Sequence, residues 1–205
     1  GTAVAGQLVG RQGSEGEARL PGATLFNASV FYSRTDNLSG ATLVHLLKGL
    51  DWLATQEPSV INISLTGADN RLLEAAVRRL ANQGTLLVAA VGNEGPAASP
   101  LFPAAYSEVI GVTATSRTGE LYRWASRGEH VMFAAHGVAV SVPDPEGGLA
   151  TESGTSLAAP VVAAALACEA NGSNPQKAVE VLIDQARDLG EPGRDSLFGF
   201  GFLPY

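Results

Sequence analysis

The sequence has few of the residues that cross-link, ligate or anchor a chain. It holds one cysteine, Cys168, among 205 residues. No disulfide can close within the chain, and no zinc pattern exists. Cys168 lies in an apolar stretch, which predicts a buried, inert thiol. Charge is sparse at 16% of residues, and basic charge is the minority: 13 Lys and Arg against 20 Asp and Glu, for a net charge of -7. With no basic cluster, this balance argues against broad nucleic-acid binding, and no nucleic-acid partner is expected. The Arg78-Arg79 pair reads as the polar face of a helix. The longest apolar run, Leu157 to Cys168, is too short to span a bilayer and contains Pro160, so no membrane contact is expected from this segment. Aromatics are 6% of the chain.

What is abundant is glycine, with 24 residues, in a chain that is 45% hydrophobic. That mixture suits one compact, loop-rich α/β domain over residues 1–205. Apolar runs of strand length alternate with stretches of helical period, which argues for a largely parallel sheet with helices on both faces. Helices are predicted over Thr2–Val9, Ala41–Thr55, Asn70–Asn82, Ser156–Glu169 and from Asn174-Pro175 onward. Asn70 is a candidate cap, with Leu73, Val77 and Leu80 facing inward. Strands are predicted over Leu25–Phe31, Val60–Leu65, Thr85–Val91, Val109–Ala114, Val131–Ala134 and Val138–Val142. Gln12–Gly22 reads as a polar loop.

Chemistry concentrates in Gly154-Thr155-Ser156-Leu157-Ala158-Ala159-Pro160. One serine stands at the opening of a helix, flanked by small residues that let another chain approach. Unpaired N–H groups and a partial positive charge gather there. Pro160 is expected in the first turn, where its missing N–H is harmless. Two readings stay open on these seven residues: a helix cap and a nucleophile.

Other stretches bear on the choice. They are Gly1-Thr2-Ala3-Val4-Ala5-Gly6, Val60-Ile61-Asn62-Ile63-Ser64-Leu65, Val88-Ala89-Ala90-Val91-Gly92-Asn93-Glu94-Gly95-Pro96, and Phe102-Pro103-Ala104-Ala105-Tyr106 followed by Val109-Ile110-Gly111-Val112. In this order, closed by Ser156, the chain resembles the subtilisin-like serine peptidases along nearly its whole length. The resemblance implies a three-layer fold lacking its N-terminal strands. It implies Ser156 as nucleophile and Asn93 as the oxyanion-binding amide, acting with the Ser156 N–H. Ser64, Leu65 and Thr66 would pair with an extended polypeptide substrate, although the family usually has glycine where Thr66 stands. Gly92 would leave room for substrate. Glu94, Leu101 and Phe102 align with the primary specificity pocket, which Leu101 would narrow and Glu94 would bias toward a basic side chain. No cofactor is implied, and no structural calcium site after Gly6. Export from the cell is implied.

The family's nucleophile works with an aspartate and a histidine, in that chain order. The histidine would stand one position before Gly1 and the aspartate further upstream. The chain opens on glycine and its only methionine is Met132, which predicts a missing upstream segment. His45, His130 and His136 do not replace the histidine: the first is expected on a helix face, the second at the surface, the third where the family has proline. Residues 1–205 alone are expected to be nearly inert. A non-catalytic peptide-binding domain is the alternative; an esterase-type elbow fails because Gly-x-Ser-x-Gly spacing is absent. In the family fold the aspartate strand lies between Leu25–Phe31 and Val60–Leu65. Its absence predicts direct pairing of those two strands, a strand given by another segment or chain, or poor stability.

Overall fold

The computed structural model describes residues 1–10, 19–35, 38–170 and 174–205. Its centre is a five-stranded parallel sheet of β3 (Val60–Ile63), β4 (Leu86–Ala90), β5 (Val109–Thr115), β6 (Val131–His136) and β9 (Phe202–Leu203), in that order. β4 and β5 are near-continuous apolar runs because both faces of these strands are covered. On one face lie α4 (Thr155–Glu169) and α5 (Pro175–Gln185), sharing a core with Val88, Val112, Phe133 and Leu203. On the other lie α2 (Leu43–Ala54) and α3 (Arg71–Asn82), packed on Ile61, Ile63, Leu87 and Val91. α1 (Thr2–Val9) packs behind α4. The three layers expected from the sequence are present.

Local chemistry explains the helix boundaries. The Asn70 side chain accepts hydrogen bonds from the N–H groups of Leu72 and Leu73, a cap worth about 1 kcal/mol. Leu73, Val77 and Leu80 are the buried residues of α3, at the predicted spacing. Arg78 and Arg79 do form its polar face: Arg78 pairs with Glu74 and Glu108, and Arg79 with Asp51. Gly84, at φ +90°, turns the chain from α3 into β4.

Four expectations are corrected. Residues 25–30 form no strand; the strand starts at Phe31, and β1 (Phe31–Thr35) pairs antiparallel with β2 (Leu38–Ala41), outside the main sheet. The Val138–Val142 strand likewise leaves the main sheet. It appears as β7 (Val140–Pro143) in a hairpin with β8 (Leu149–Glu152). Its alternation, with Val140 and Val142 buried and Ser141 exposed, is that of a ribbon covered on one face. Cys168 is exposed rather than buried, for a reason given below. Pro160 is the sixth residue of α4, not part of its first turn. Of the predicted Gln12–Gly22 loop, residues 12–18 lie outside the described residues.

Of the three outcomes expected for the Leu25–Phe31 region and β3, direct pairing does not occur. A cavity of about 950 Å³ separates them instead. It is lined by residues 20–31 on one side and Val60–Leu65 on the other, with Leu46 and Leu50 of α2 and Ala163 and Ala167 of α4 closing its faces. The Leu86 N–H donates to the Ser59 carbonyl, so Ser59 turns its main chain toward β4. In a parallel ladder this orientation alternates, and the main-chain groups of Val60 and Asn62 therefore face the cavity. Cys168 lines the same space near the end of α4, which is why its thiol is accessible. Among the described residues, no helix is long and apolar enough to cross a membrane.

Candidate active site

The C-terminal ends of β3 and β4 and the start of α4 meet at one place. α4 begins with Gly154 as its N-cap residue and Thr155 as its first helical residue. Ser156 is therefore not the cap. It is the second helical residue, and its N–H has no intrahelical acceptor. From Leu157 to Leu166 the helix is buried without interruption, so Ser156 is held by a segment packed on all sides. Ser156 itself is half-buried.

Asn93 follows β4 and is exposed. Its side-chain oxygen accepts from both the N–H and the Oγ1 of Thr155, each at 3.0 Å. A backbone N–H can only donate, so the amide oxygen must face Thr155. The Asn93 Nδ2 is then left for another acceptor, beside the residue that precedes Ser156. Thr155 is fully buried, and its Oγ1 also accepts from the Gly92 N–H at 3.2 Å. One hydroxyl thus joins the β4 loop to the helix start. Asn93 is not among the residues of positive φ; Gly92 is, at +107°. The turn after β4 therefore uses the glycine, and the asparagine is free for another purpose.

Ser64 sits just past β3. Its Oγ donates to the Ser156 carbonyl at 2.8 Å and accepts from Asn62 Nδ2 at 2.9 Å. That carbonyl is available because of Pro160. An ordinary residue at 160 would donate its N–H to residue 156, four positions back, and proline has none. The proline thus frees a carbonyl that ties the serine residue to the β3 segment. In return the Ser156 Oγ donates to the Ser64 carbonyl at 3.3 Å, a long bond.

Leu65 is half-buried and Thr66 exposed. Past them, Gly67 and Phe102 exchange two main-chain hydrogen bonds of 2.8 and 3.0 Å. That bridge holds Phe102 against Gly67, and the neighbouring Leu101 side chain reaches Gly92. Glu94 is exposed beyond Asn93. Ser64, Gly92, Asn93 and Ser156 are thus brought together at this junction, with Leu101 against Gly92 and Leu65, Thr66, Glu94 and Phe102 as their chain neighbours.

The histidines lie elsewhere. His45 is exposed in α2 and its Nδ1 bonds the Thr42 hydroxyl. His136 bonds the Val138 carbonyl through Nε2; burial, with Arg117 nearby, pushes its pKa down. His130 departs from expectation: it precedes β6, is partly buried, and burial lowers its pKa. None of the three is a hydrogen-bond partner of Ser156. Among the described residues no group of three or more His, Cys, Asp or Glu side chains could hold a metal ion.

Sequence reasoning missed Thr155, Asn62 and the effect of Pro160. Thr155 carries a signal in hindsight, since a hydroxyl beside the serine could reach a neighbouring amide. The partner of Asn62 depends on the fold alone.

Comparison with known proteins places this arrangement. The model of the subtilase family matches residues 1–201. The chain belongs to the subtilase family. This subtilase is 33% identical over 210 residues to the minor extracellular protease Epr of Bacillus subtilis (strain 168), covering 100% of this chain and 32% of Epr. It is 33% identical over 208 residues to a thermostable alkaline protease of Halalkalibacterium halodurans, covering 99% of this chain and 55% of that protein. Among solved structures, the protease domain of PatA superposes with a TM-score of 0.87 at 26% identity, over 99% of this chain and 76% of that one. The chain thus spans about a third to a half of these two curated relatives.

Proposed function

We propose that the native protein is a serine endopeptidase that cleaves polypeptides through an acyl-enzyme on Ser156. The observation that carries this reading is the Asn93 amide, turned by Thr155 so that its N–H groups face outward beside the start of α4. With the Ser156 N–H, it offers two donors to one developing oxyanion. The substrate lies extended along Ser64-Leu65-Thr66 as an added strand, its acyl-side residue toward Gly92 and Leu101.

In the first step the Ser156 Oγ forms a bond to the scissile carbonyl carbon, and its proton passes to a histidine. The carbonyl oxygen takes the negative charge between Asn93 Nδ2 and the Ser156 N–H. The C–N bond then breaks, the amine leaves with that proton, and water releases the acyl group by the reverse sequence. The histidine belongs to a segment outside residues 1–205, as the family pattern places it. Without it, the Ser64 carbonyl is the partner of the Ser156 Oγ among the described residues, and the serine remains a weak nucleophile. The test is to treat the native, full-length protein with a fluorophosphonate and map the adduct by mass spectrometry. Labelling at Ser156 together with casein cleavage supports the reading; an active protein labelled at another serine refutes it.

A second part of the proposal concerns the cavity beside β3. Its partner is one extended strand from outside residues 1–205, bonded to the main chain of Val60 and Asn62. The Asn62 Oδ1, buried without a partner, supports this. Cys168 reports on it, because its thiol opens to the cavity. Cys168 in the isolated residues 1–205 should react readily with Ellman's reagent. In the full-length protein its rate should fall by at least tenfold. Equal rates would leave the cavity empty and this part of the proposal wrong.

A further inference from the structure

We infer that Leu101 closes the recess beside Asn93, so that the residue on the acyl side of the cleaved bond must be small: glycine, alanine or serine. This deepens the peptidase reading and rests on it. Two segments flank Leu101: Gly67, bridged by its neighbour Phe102, and Gly92, met by its own side chain. A substrate strand that pairs along Ser64-Leu65-Thr66 and places its carbonyl at Asn93 drops its acyl-side side chain between them.

That space is already taken. A Cβ built on Gly92 would lie 2.5 Å from Leu101 Cδ1 and 3.1 Å from the Ser126 Oγ. The Leu101 side chain therefore lies directly against the glycine that precedes Asn93. It is also held in place. The Phe102 N–H and carbonyl are both bonded to Gly67, and the Leu101 carbonyl accepts from the Ala105 N–H at 3.1 Å. The Phe102 and Tyr106 rings pack at a 47° tilt with centroids 4.5 Å apart, and Pro103 and Ala104 are buried. The backbone that carries this leucine is thus fixed beside Gly92, and moving the Leu101 Cα away would break the bridge. The sequence raised two expectations for this recess, narrowing by Leu101 and attraction of a basic side chain by Glu94. The geometry decides between them. Glu94 is exposed, and a lysine or arginine side chain would still have to pass Leu101 to lie against Gly92.

The experiment uses the full-length protein and succinyl-Ala-Ala-Pro-X-p-nitroanilides with X as Ala, Leu, Phe or Lys. kcat/KM for X = Ala should exceed that for Phe and Lys by about 10- to 100-fold. Leu101→Gly should raise the Phe-to-Ala and Leu-to-Ala ratios of kcat/KM at least tenfold. Leu101→Ala, which adds less backbone freedom, should fall between them. Affinity is read separately. In the Ser156→Ala protein, the product acids succinyl-Ala-Ala-Pro-Ala and succinyl-Ala-Ala-Pro-Phe are titrated by calorimetry, with tighter binding expected for Ala and a reversal in Leu101→Gly. Wild-type turnover or binding of Phe equal to Ala overturns the inference while the peptidase reading stands. So does a Leu101→Gly protein with unchanged ratios. If no peptide is cleaved or bound, the peptidase reading itself falls and takes this one with it.

Discussion

Replacing Ser156 with alanine in the full-length protein should abolish peptidase activity while leaving the fold intact. The expected loss in turnover is about 10⁶. That figure is the one known for subtilisin, itself a member of this family, and is taken over from that relative. The fold should survive because, among the described residues, the Ser156 Oγ makes one long bond, to the Ser64 carbonyl. The stronger tie at this residue runs from Ser64 Oγ to the Ser156 carbonyl, which alanine retains. Thermal unfolding should therefore shift by no more than a surface substitution would, equivalent to about 0.5 kcal/mol. Fluorophosphonate labelling should vanish together with casein cleavage. If the variant keeps either one, Ser156 is not the nucleophile.

Asn93→Ala should lower kcat by about 10²–10³ and leave KM nearly unchanged. The range is again that of the corresponding asparagine in subtilisin. The split between the two parameters matters more than the size. An amide that meets the oxygen only when it becomes an anion contributes to the transition state and not to ground-state binding. A residue that merely shaped the loop would raise KM as well. The substitution also leaves the Thr155 N–H and Oγ1 without their acceptor. Some destabilisation, about 1–3 kcal/mol, is therefore expected alongside. Full-length protein should be assayed well below its unfolding temperature so that the two effects stay separate. A fall in kcat of less than about tenfold would remove Asn93 from the oxyanion site.

Much of this site could be read from the sequence because its parts sit at the ends of strongly patterned elements. The apolar runs ending near Leu65 and Val91 mark where β3 and β4 stop, and the residues just past a parallel strand emerge at one edge of the sheet. α3 was legible for the same kind of reason: its period places Leu73, Val77 and Leu80 on one face, and Asn70 caps it. The Leu25–Phe31 stretch was not. Its composition suits a strand, but a strand needs a neighbour, and neither residues 25–30 nor the outer edge of β3 finds one among the described residues. Val140–Pro143 pairs with a segment whose short, exposed strand gives almost no signal. β9 is two residues long, below the length at which any period can be seen. Cys168 misled because burial was inferred from the apolar helix around it, whereas its exposure depends on the cavity at that helix's end. Pro160 was misplaced by one turn, and the Ser64 bond to the carbonyl it frees could come only from coordinates.

The account depends on Ser156 and Asn93 addressing the same carbonyl group. A crystal structure of the full-length protein inhibited by a peptidyl phosphonate tests this most directly. The phosphorus should be bonded to the Ser156 Oγ, with one phosphonyl oxygen about 2.7–3.1 Å from both Asn93 Nδ2 and the Ser156 nitrogen. A phosphonyl oxygen turned away from Asn93, or phosphorus bonded to another residue, would contradict it.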